Sequence, residues 1–293
     1  MKPLIDSDVL RYEIGFCGQS MSDDGELSIL SWDLVQEMLD QRIKEICAEV
    51  WATEPPLIFL SKDKVAHRID NRRRLTEERE LKFYKPNFRE KVAVTKPYKG
   101  TRKQAKPFHY ANITNHLMTN YDHILADGIE ADDALSIYQY AAEPLTTIIC
   151  SRDKDLRITP GMHFGWPCGK QRQFGPTRVD ELGEIKLVKT PNGDKIVGTG
   201  LKFFFSQCIT GDAVDNIPGL PRRGPVYAEQ LLSGCQSEEE CLHKVVEAYR
   251  ERYEDEWFTH LDEQAKLLWM VRELDEEGNP IPYDIKGKLG ETI

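Results

Sequence analysis

Glu130, Asp132 and Asp133 stand at the start of a helix-like run, and Asp153 and Asp155 follow the strand-like Thr146-Thr147-Ile148-Ile149-Cys150 that comes after it. Five carboxylates thus mark the two ends of one helix-plus-strand unit. Carboxylates that end up close together repel, and they stay ionised together only when cations compensate them, so the economical chemistry is a divalent-metal site. A helix start favours negative charge through its free N–H groups and dipole. Asp153 and Asp155 alternate just past the carboxyl end of a buried strand, where ligand sites of open α/β sheets lie. A cap plus an acidic surface turn would explain any one of these residues; the whole array favours the metal.

The elements that must position them read along the chain. Lys2 to Ile5 is a first strand ending in Asp6-Ser7-Asp8, so Asp6 points into the same carboxyl-end crevice. Ser31 caps a helix through about Ala48, whose core stripe is Val35, Met38, Leu39, Ile43 and Ile46. Leu57 to Leu60 reads as a buried parallel strand, followed by Ser61-Lys62-Asp63. Residues 64–86 read as an exposed helical or partly disordered insertion. A helix is expected from about Lys103 to Thr119, then a short strand at His123-Ile124-Leu125. Beyond Asp155 the chain to about Gly175 reads as irregular, and Asn192-Gly193 marks a hairpin. Leu201 to Thr210 is a short helix, and Gly224 before Pro225 presents free backbone N–H groups at a helix start, a seat for phosphate. Amphipathic helices follow at about Ser237–Tyr253 and Glu256–Arg272, with Trp257, Leu261, Leu268 and Trp269 as core. Together these predict an α/β fold with a mostly parallel central sheet flanked by helices.

The net charge of −10 hides an asymmetry: residues 62–106 carry 16 Lys+Arg against 6 Asp+Glu. An acidic body with one basic segment suits carboxylates that hold metals beside cations that hold a polyanion. Aromatics interleave with those cations at Phe88-Arg89 and Tyr98-Lys99, as a single strand would require for stacking and phosphate contact. Seven scattered cysteines without a C-x-x-C pair indicate reduced thiols in a cytoplasmic setting, with no zinc site or disulfide frame. No apolar run approaches a membrane span, and the N-terminus shows no signal-peptide core.

Three segments, Glu130-Ala-Asp132-Asp133, Ser151-Arg-Asp153-Lys-Asp155 and Gly211-Asp212-Ala-Val-Asp215-Asn-Ile-Pro-Gly219, resemble in order and spacing the 5′ nucleases of the flap endonuclease family. That family includes the 5′-exonuclease domains of bacterial DNA polymerase I and bacteriophage 5′→3′ exonucleases, and Asp6-Ser7-Asp8 looks closest to the podovirus type. The resemblance implies a PIN-like or resolvase-like nuclease core over residues 1–200, with a basic helical arch and its insertion at about 62–106. It implies a helix-three-turn-helix DNA grip and C-terminal helices over 201–293. It assigns Asp6, Glu130, Asp132 and Asp133 to one metal and Asp153, Asp155, Asp212 and Asp215 to a second. The ligand after the second parallel strand falls to Asp63 or Ser61. Lys99 and Arg102 would meet the scissile phosphate, and Arg89, Tyr98, Lys103, Gly219, Arg222, Arg223 and Gly224 would contact DNA. Arg222 stands where the family usually has Gly.

The implied cofactors are two Mg²⁺ ions, replaceable by Mn²⁺, with K⁺ at the helix-three-turn-helix. The implied activity is 5′→3′ exonuclease and flap endonuclease action on duplex DNA with a 5′ end, flap or nick, in phage replication, recombination or RNA-primer removal. RNA–DNA hybrids and replication proteins are further expected partners, and the host cytoplasm is the expected location. The rivals are a PIN-type ribonuclease and a non-catalytic DNA-binding relative.

Overall fold

The computed structural model describes residues 1–101 and 105–290. Its contacts divide the chain into two compact units: Met1–Asn87, Gln104–Lys154 and Gly161–Arg178 form the first, and Phe88–Lys103, Asp155–Pro160 and Val179–Ile293 the second. In chain order, β1 (Lys2–Asp6) leads into α1 (Ser7–Cys17), the ribbon strands β2 (Gln19–Met21) and β3 (Leu27–Ile29), and α2 (Trp32–Glu49). Next come β4 (Leu57–Ser61), α3 (Lys64–Thr76), the single turn α4 (Arg89–Val92), α5 (Tyr110–Asn120) and β5 (His123–Ala126). They are followed by α6 (Ala131–Ala141), β6 (Thr147–Cys150), β7 (Gly161–Gly165) and β8 (Phe174–Val179).

The sheet runs β5-β4-β1-β6-β7-β8, and β1 pairs in parallel with both β4 and β6. The pairs β4–β5 and β6–β7 are parallel too. The chain builds outward from β1 to β5, then returns to the other side of β1 to lay down β6. Strand order therefore reverses at β1 and β6, the position at which open α/β sheets take their ligands at the carboxyl edge. Asp6 ends β1, and Ser151-Arg152-Asp153 follows β6 at this edge. Val35, Leu39, Ile43 and Ile46 recur at helical spacing on α2 and are buried in one core with Ile5, Ile58 and Ile148 of the strands; Met38 packs against it partly buried.

Three sequence expectations change in this unit. The stretch after Asp155 is not irregular, because β7 pairs Met162, His163 and Phe164 with Ile148, Ile149 and Cys150. A five-residue segment bracketed by Gly161 and Gly165 carries too little periodicity to announce a strand; the open edge of β6 supplies the reason. The helix expected from Lys103 begins at Tyr110 instead. Pro107 disfavours helix in the residue before it, and its ring packs where a Cβ on Gly15 would lie 2.4 Å from Cγ. The insertion takes its helical alternative over α3, but that helix is tied to α5 rather than exposed all round. Arg73 donates to the carbonyls of Met118 (2.5 Å) and Asn115 (3.3 Å) on α5, and Asn71 clasps the backbone of Lys82 in both directions.

The second unit contains α4, a 3₁₀ turn at Asp155–Ile158, the hairpin strands β9 (Ile185–Thr190) and β10 (Gly193–Gly198), and helices α7 (Gly200–Thr210), α8 (Pro225–Leu232), α9 (Glu238–Tyr253), α10 (Trp257–Leu268) and α11 (Ile285–Leu289). Gly193 opens β10 at φ +110°, the conformation the Asn-Gly signal anticipates. Leu201 to Ile209 of α7 are buried throughout, with the Phe204 ring 5.1 Å from Trp269 and 5.0 Å from Tyr283. Trp257, Leu261, Leu268 and Trp269 are buried. The last helix of that group stops at Leu268 rather than Arg272. Among the described residues, no helix is long and apolar enough to cross a membrane.

Candidate active site

Asp6, at the carboxyl end of β1, is 1% exposed. One oxygen caps α1 by accepting the N–H groups of Asp8 (3.1 Å) and Val9 (3.3 Å). The other accepts the Ser151 hydroxyl at 2.6 Å, and the same hydroxyl oxygen accepts Asp153 N–H at 2.9 Å. One serine thus joins the ends of β1 and β6. Burial, the charge of Asp8 and the charge of Asp153 push the Asp6 carboxyl up to about 7, against relief from Ser151 and Val9. Two like charges beside a buried acid disfavour its ionised form.

At the ends of β4 and β5, Asp133, Ser61 and Asp63 are taken up by the protein itself. Asp133, fully buried, accepts Glu130 N–H at 3.1 Å, one half of a capping box at the start of α6. Ser61 does not stand free as a ligand, because its hydroxyl accepts Ala131 N–H at 2.8 Å and so caps the same helix. Asp63 is likewise engaged. One oxygen caps α3 through the N–H groups of Val65 and Ala66, each at 2.9 Å. The other accepts Lys106 (2.5 Å) and the Tyr110 hydroxyl (2.7 Å), with the Arg11 guanidinium 3.8 Å away. Burial alone would raise its carboxyl, but Arg11, Lys106 and the capping bonds hold it below the usual range. Arg11 also pairs with Asp8, whose carboxylate accepts Ser61 N–H at 3.0 Å. Among the described residues, no three His, Cys, Asp or Glu side chains are gathered into a ready ligand set.

The second unit carries its own acidic group. Asp155 accepts the Gln207 amide at 2.6 Å. Asp212 folds its loop by accepting the N–H groups of Val214 (2.7 Å) and Asp215 (3.2 Å). Asp215 meets a segment more than a hundred residues earlier in the chain. Its carboxylate accepts the Tyr98 hydroxyl at 3.1 Å and lies 3.9 Å from the Lys99 ammonium, and its carbonyl accepts Lys99 N–H at 3.0 Å. Asn216 adds a bond to the Pro97 carbonyl at 2.9 Å. The resemblance implies a phosphate contact for Lys99 and a metal for Asp215, and the structure sets the two side chains side by side.

Two expected DNA contacts are structural instead. Arg89 is 1% exposed, and its guanidinium donates to the carbonyls of Leu267 (3.0 Å) and Trp269 (2.6 Å), stacked 4.7 Å over Phe88. It closes the C-terminal end of α10 and cannot reach a phosphate. Gly219 is buried, and its N–H goes to Gln264 at 3.0 Å. A Cβ there would lie 2.3 Å from Gly211 N, so φ +68° and a close backbone approach require glycine. Arg222 and Arg223 are exposed, and Gly224 caps α8. Arg222 sits at φ +64°, the left-handed region that suits the glycine usual at this position in the family. Arg102 and Lys103 lie outside the described residues. Ser151, Asp8, Arg11, Lys106 and Tyr110 were not singled out by sequence; Ser151 and Asp8 sit inside quoted motifs, whereas the last three carried no signal.

No known family model matches the chain. In sequence it is similar to DNA polymerase I of Rhizobium leguminosarum, 28% identical over 166 residues, which are 55% of this chain and only 15% of that protein's length. In structure it is similar to the T5 5′-exonuclease with divalent zinc ions bound, at TM-score 0.52 and 14% identity, covering 92% of this chain and 86% of that one. A looser overlay, at TM-score 0.41 and 12% identity over 99% of this chain and 88% of that one, is with the catalytic core of Rad2 in complex with DNA substrate. The fold is thus similar to that of a 5′-exonuclease.

Proposed function

We propose that this chain, which shares its fold with a 5′-exonuclease, is a divalent-metal-dependent nuclease that hydrolyses duplex DNA from 5′ ends and at 5′ flaps. The observation that carries this reading is Asp6, a buried acid at the point where strand order reverses, with Asp8 and Asp153 raising its affinity for a positive charge. An all-oxygen donor set of this kind fits a hard cation such as Mg²⁺ or Mn²⁺. In the first unit Asp6, Glu130, Asp132 and Asp153 would hold it. The family resemblance assigns Asp153, together with Asp155, Asp212 and Asp215 of the second unit, to another.

Divalent ions held there would supply a hydroxide nucleophile at neutral pH and charge stabilisation for the departing 3′-oxygen. The chain's own groups do the rest. Asp215 and the Tyr98 ring, 5.0 Å from the Lys99 ammonium, hold that cation in place for a phosphate. Arg222, Arg223 and the open N-terminus of α8 would take backbone phosphates away from the reacting bond. In this reading Asp63 is a cap and ion-pair partner and no ligand. Asp63→Asn, which keeps a capping oxygen, is expected to lower stability by about 1 kcal/mol and to leave the Mg²⁺ dependence of cleavage unchanged. Denaturant melts beside a Mg²⁺ titration check it, and a large rise in the Mg²⁺ requirement would restore Asp63 to the ligand set.

The test of the function is a time course on 5′-labelled and 3′-labelled duplex, with a flap substrate in parallel, in Mg²⁺ and in EDTA. The 5′ label should leave as short products only with Mg²⁺. Duplex that is bound but intact in both Mg²⁺ and Mn²⁺ would mark a DNA-binding relative without chemistry.

A further inference from the structure

The acidic loop that carries Asp153 is pinned on both sides, and only one side involves a residue already discussed. On the inner side Ser151 donates its N–H to the Phe164 carbonyl (3.0 Å) and its hydroxyl to Asp6. On the outer side the next residue, Arg152, is held by a separate cluster. Its guanidinium lies 3.2 Å from the Glu13 carboxylate and donates to the Gln171 side-chain oxygen at 2.7 Å and the Cys168 carbonyl at 3.3 Å. Gln171 returns its amide to the Arg152 carbonyl at 2.7 Å. The Gln171 amide thus grips both the side chain and the main chain of the residue preceding Asp153.

Glu13 is an unusual anchor. Its side chain is 4% exposed, yet it lies between two cations, Arg152 and Arg42 (3.4 Å), and accepts the Trp166 indole N–H at 2.8 Å. A buried carboxylate with that many donors is fixed in place, because every departure leaves a charge unpaired. Glu13 lies on α1, the helix whose first turn is capped by Asp6. Gln171 is also set rigidly, in a turn closed by reciprocal backbone bonds between Cys168 and Gln171 (3.1 and 3.0 Å), with Gly169 at φ +55°.

We infer that Glu13, Arg152 and Gln171 form a clamp that positions the Asp153 carboxylate relative to Asp6, and that they are positioning residues for divalent-cation binding; this rests on the nuclease reading above. None of the three touches the cation or the substrate. They fix the peptide from which Asp153 projects, as supporting residues around metal ligands do when they set ligand orientation.

The test is Mn²⁺ binding by electron paramagnetic resonance on the whole chain, beside cleavage against Mg²⁺ concentration. Gln171 is exposed, so Gln171→Ala leaves the core untouched. It should weaken Mn²⁺ binding roughly 10-fold, within the range seen for lost supporting contacts. The Mg²⁺ needed for half-maximal cleavage should rise by the same factor, with little change in kcat at saturating metal. Gln171→Glu keeps the oxygen that meets the guanidinium and loses the amide donor, so it should fall between wild type and Gln171→Ala. Glu13→Gln, which keeps shape and the Trp166 acceptor, should weaken Mn²⁺ binding in the same direction. A merely structural cluster would lower melting temperature in Glu13→Gln and leave Mn²⁺ half-saturation in both Gln171 variants at the wild-type value; that result overturns the clamp. If the wild type binds Mn²⁺ but cleaves nothing, the nuclease reading fails while the resonance titration still decides the clamp. If the wild type binds no Mn²⁺, both fall.

Discussion

Asp6→Asn is expected to reduce Mg²⁺-dependent release of 5′ label by roughly 10²–10³-fold, while the metal-free protein melts at or above the wild-type temperature. The loss follows from removing one charged ligand of a Lewis acid that contributes several kcal/mol of charge stabilisation, each ~1.4 kcal/mol being tenfold in rate. The gain follows from burial. Asp6 is pushed up to about 7 by desolvation, Asp8 and Asp153, so the folded state holds a proton that the unfolded chain, with an ordinary Asp, gives up near pH 4. Below that pH the acid's contribution to stability is fully present; it is lost as pH rises through 7. In EDTA the wild type should therefore lose stability between about pH 4 and 7, and the Asp6→Asn variant should lose less. Asparagine retains the oxygen that caps α1 by accepting Asp8 and Val9 N–H. Mn²⁺ should stabilise wild type more at pH 8 than at pH 5. A pH profile of melting temperature identical in the two proteins would show that Asp6 is not the strained acid of this site, and retained cleavage would remove it from the chemistry.

Arg89→Ala is expected to cost about 3 kcal/mol of folding stability, with DNA affinity of the folded fraction unchanged. The guanidinium is buried and donates to the carbonyls of Leu267 at 3.0 Å and Trp269 at 2.6 Å. Bonds to a charged donor are worth about 1.5–3 kcal/mol each, and truncation leaves buried acceptors unpaired. Arg89→Lys should recover little, since one ammonium replaces a planar fork that spans two carbonyls. Equilibrium unfolding in urea and fluorescence anisotropy on a labelled duplex read the two quantities separately. A variant of wild-type stability with weakened DNA binding would return Arg89 to the DNA-contacting set.

These two residues show where sequence reasoning holds and where it stops. Both matched a family motif. Asp6 lies at the end of an apolar strand, and a strand end in a parallel sheet has one place to go, the carboxyl edge. Arg89 lies in a polar stretch with no periodicity, so nothing local says whether its charge faces solvent or interior. The capping carbonyls that claim it lie nearly 180 residues further along the chain. Asp63 repeats the lesson, because the cations that occupy it come from Arg11 and Lys106, each remote in sequence.

Periodicity and turn chemistry are local, so the parallel α/β core, the helices with an apolar stripe, the hairpin at Asn192-Gly193 and the placement of Asp6 and Asp153 at strand ends were legible in the sequence. Packing settled that β7 extends the sheet, that Lys99 meets Asp215, that α3 is stapled to α5, and that Arg152 is held by Glu13 and Gln171. Each of those depends on which partner completes a hydrogen bond or neutralises a buried charge, and that partner is chosen by the packing of the chain and not by the residues beside it.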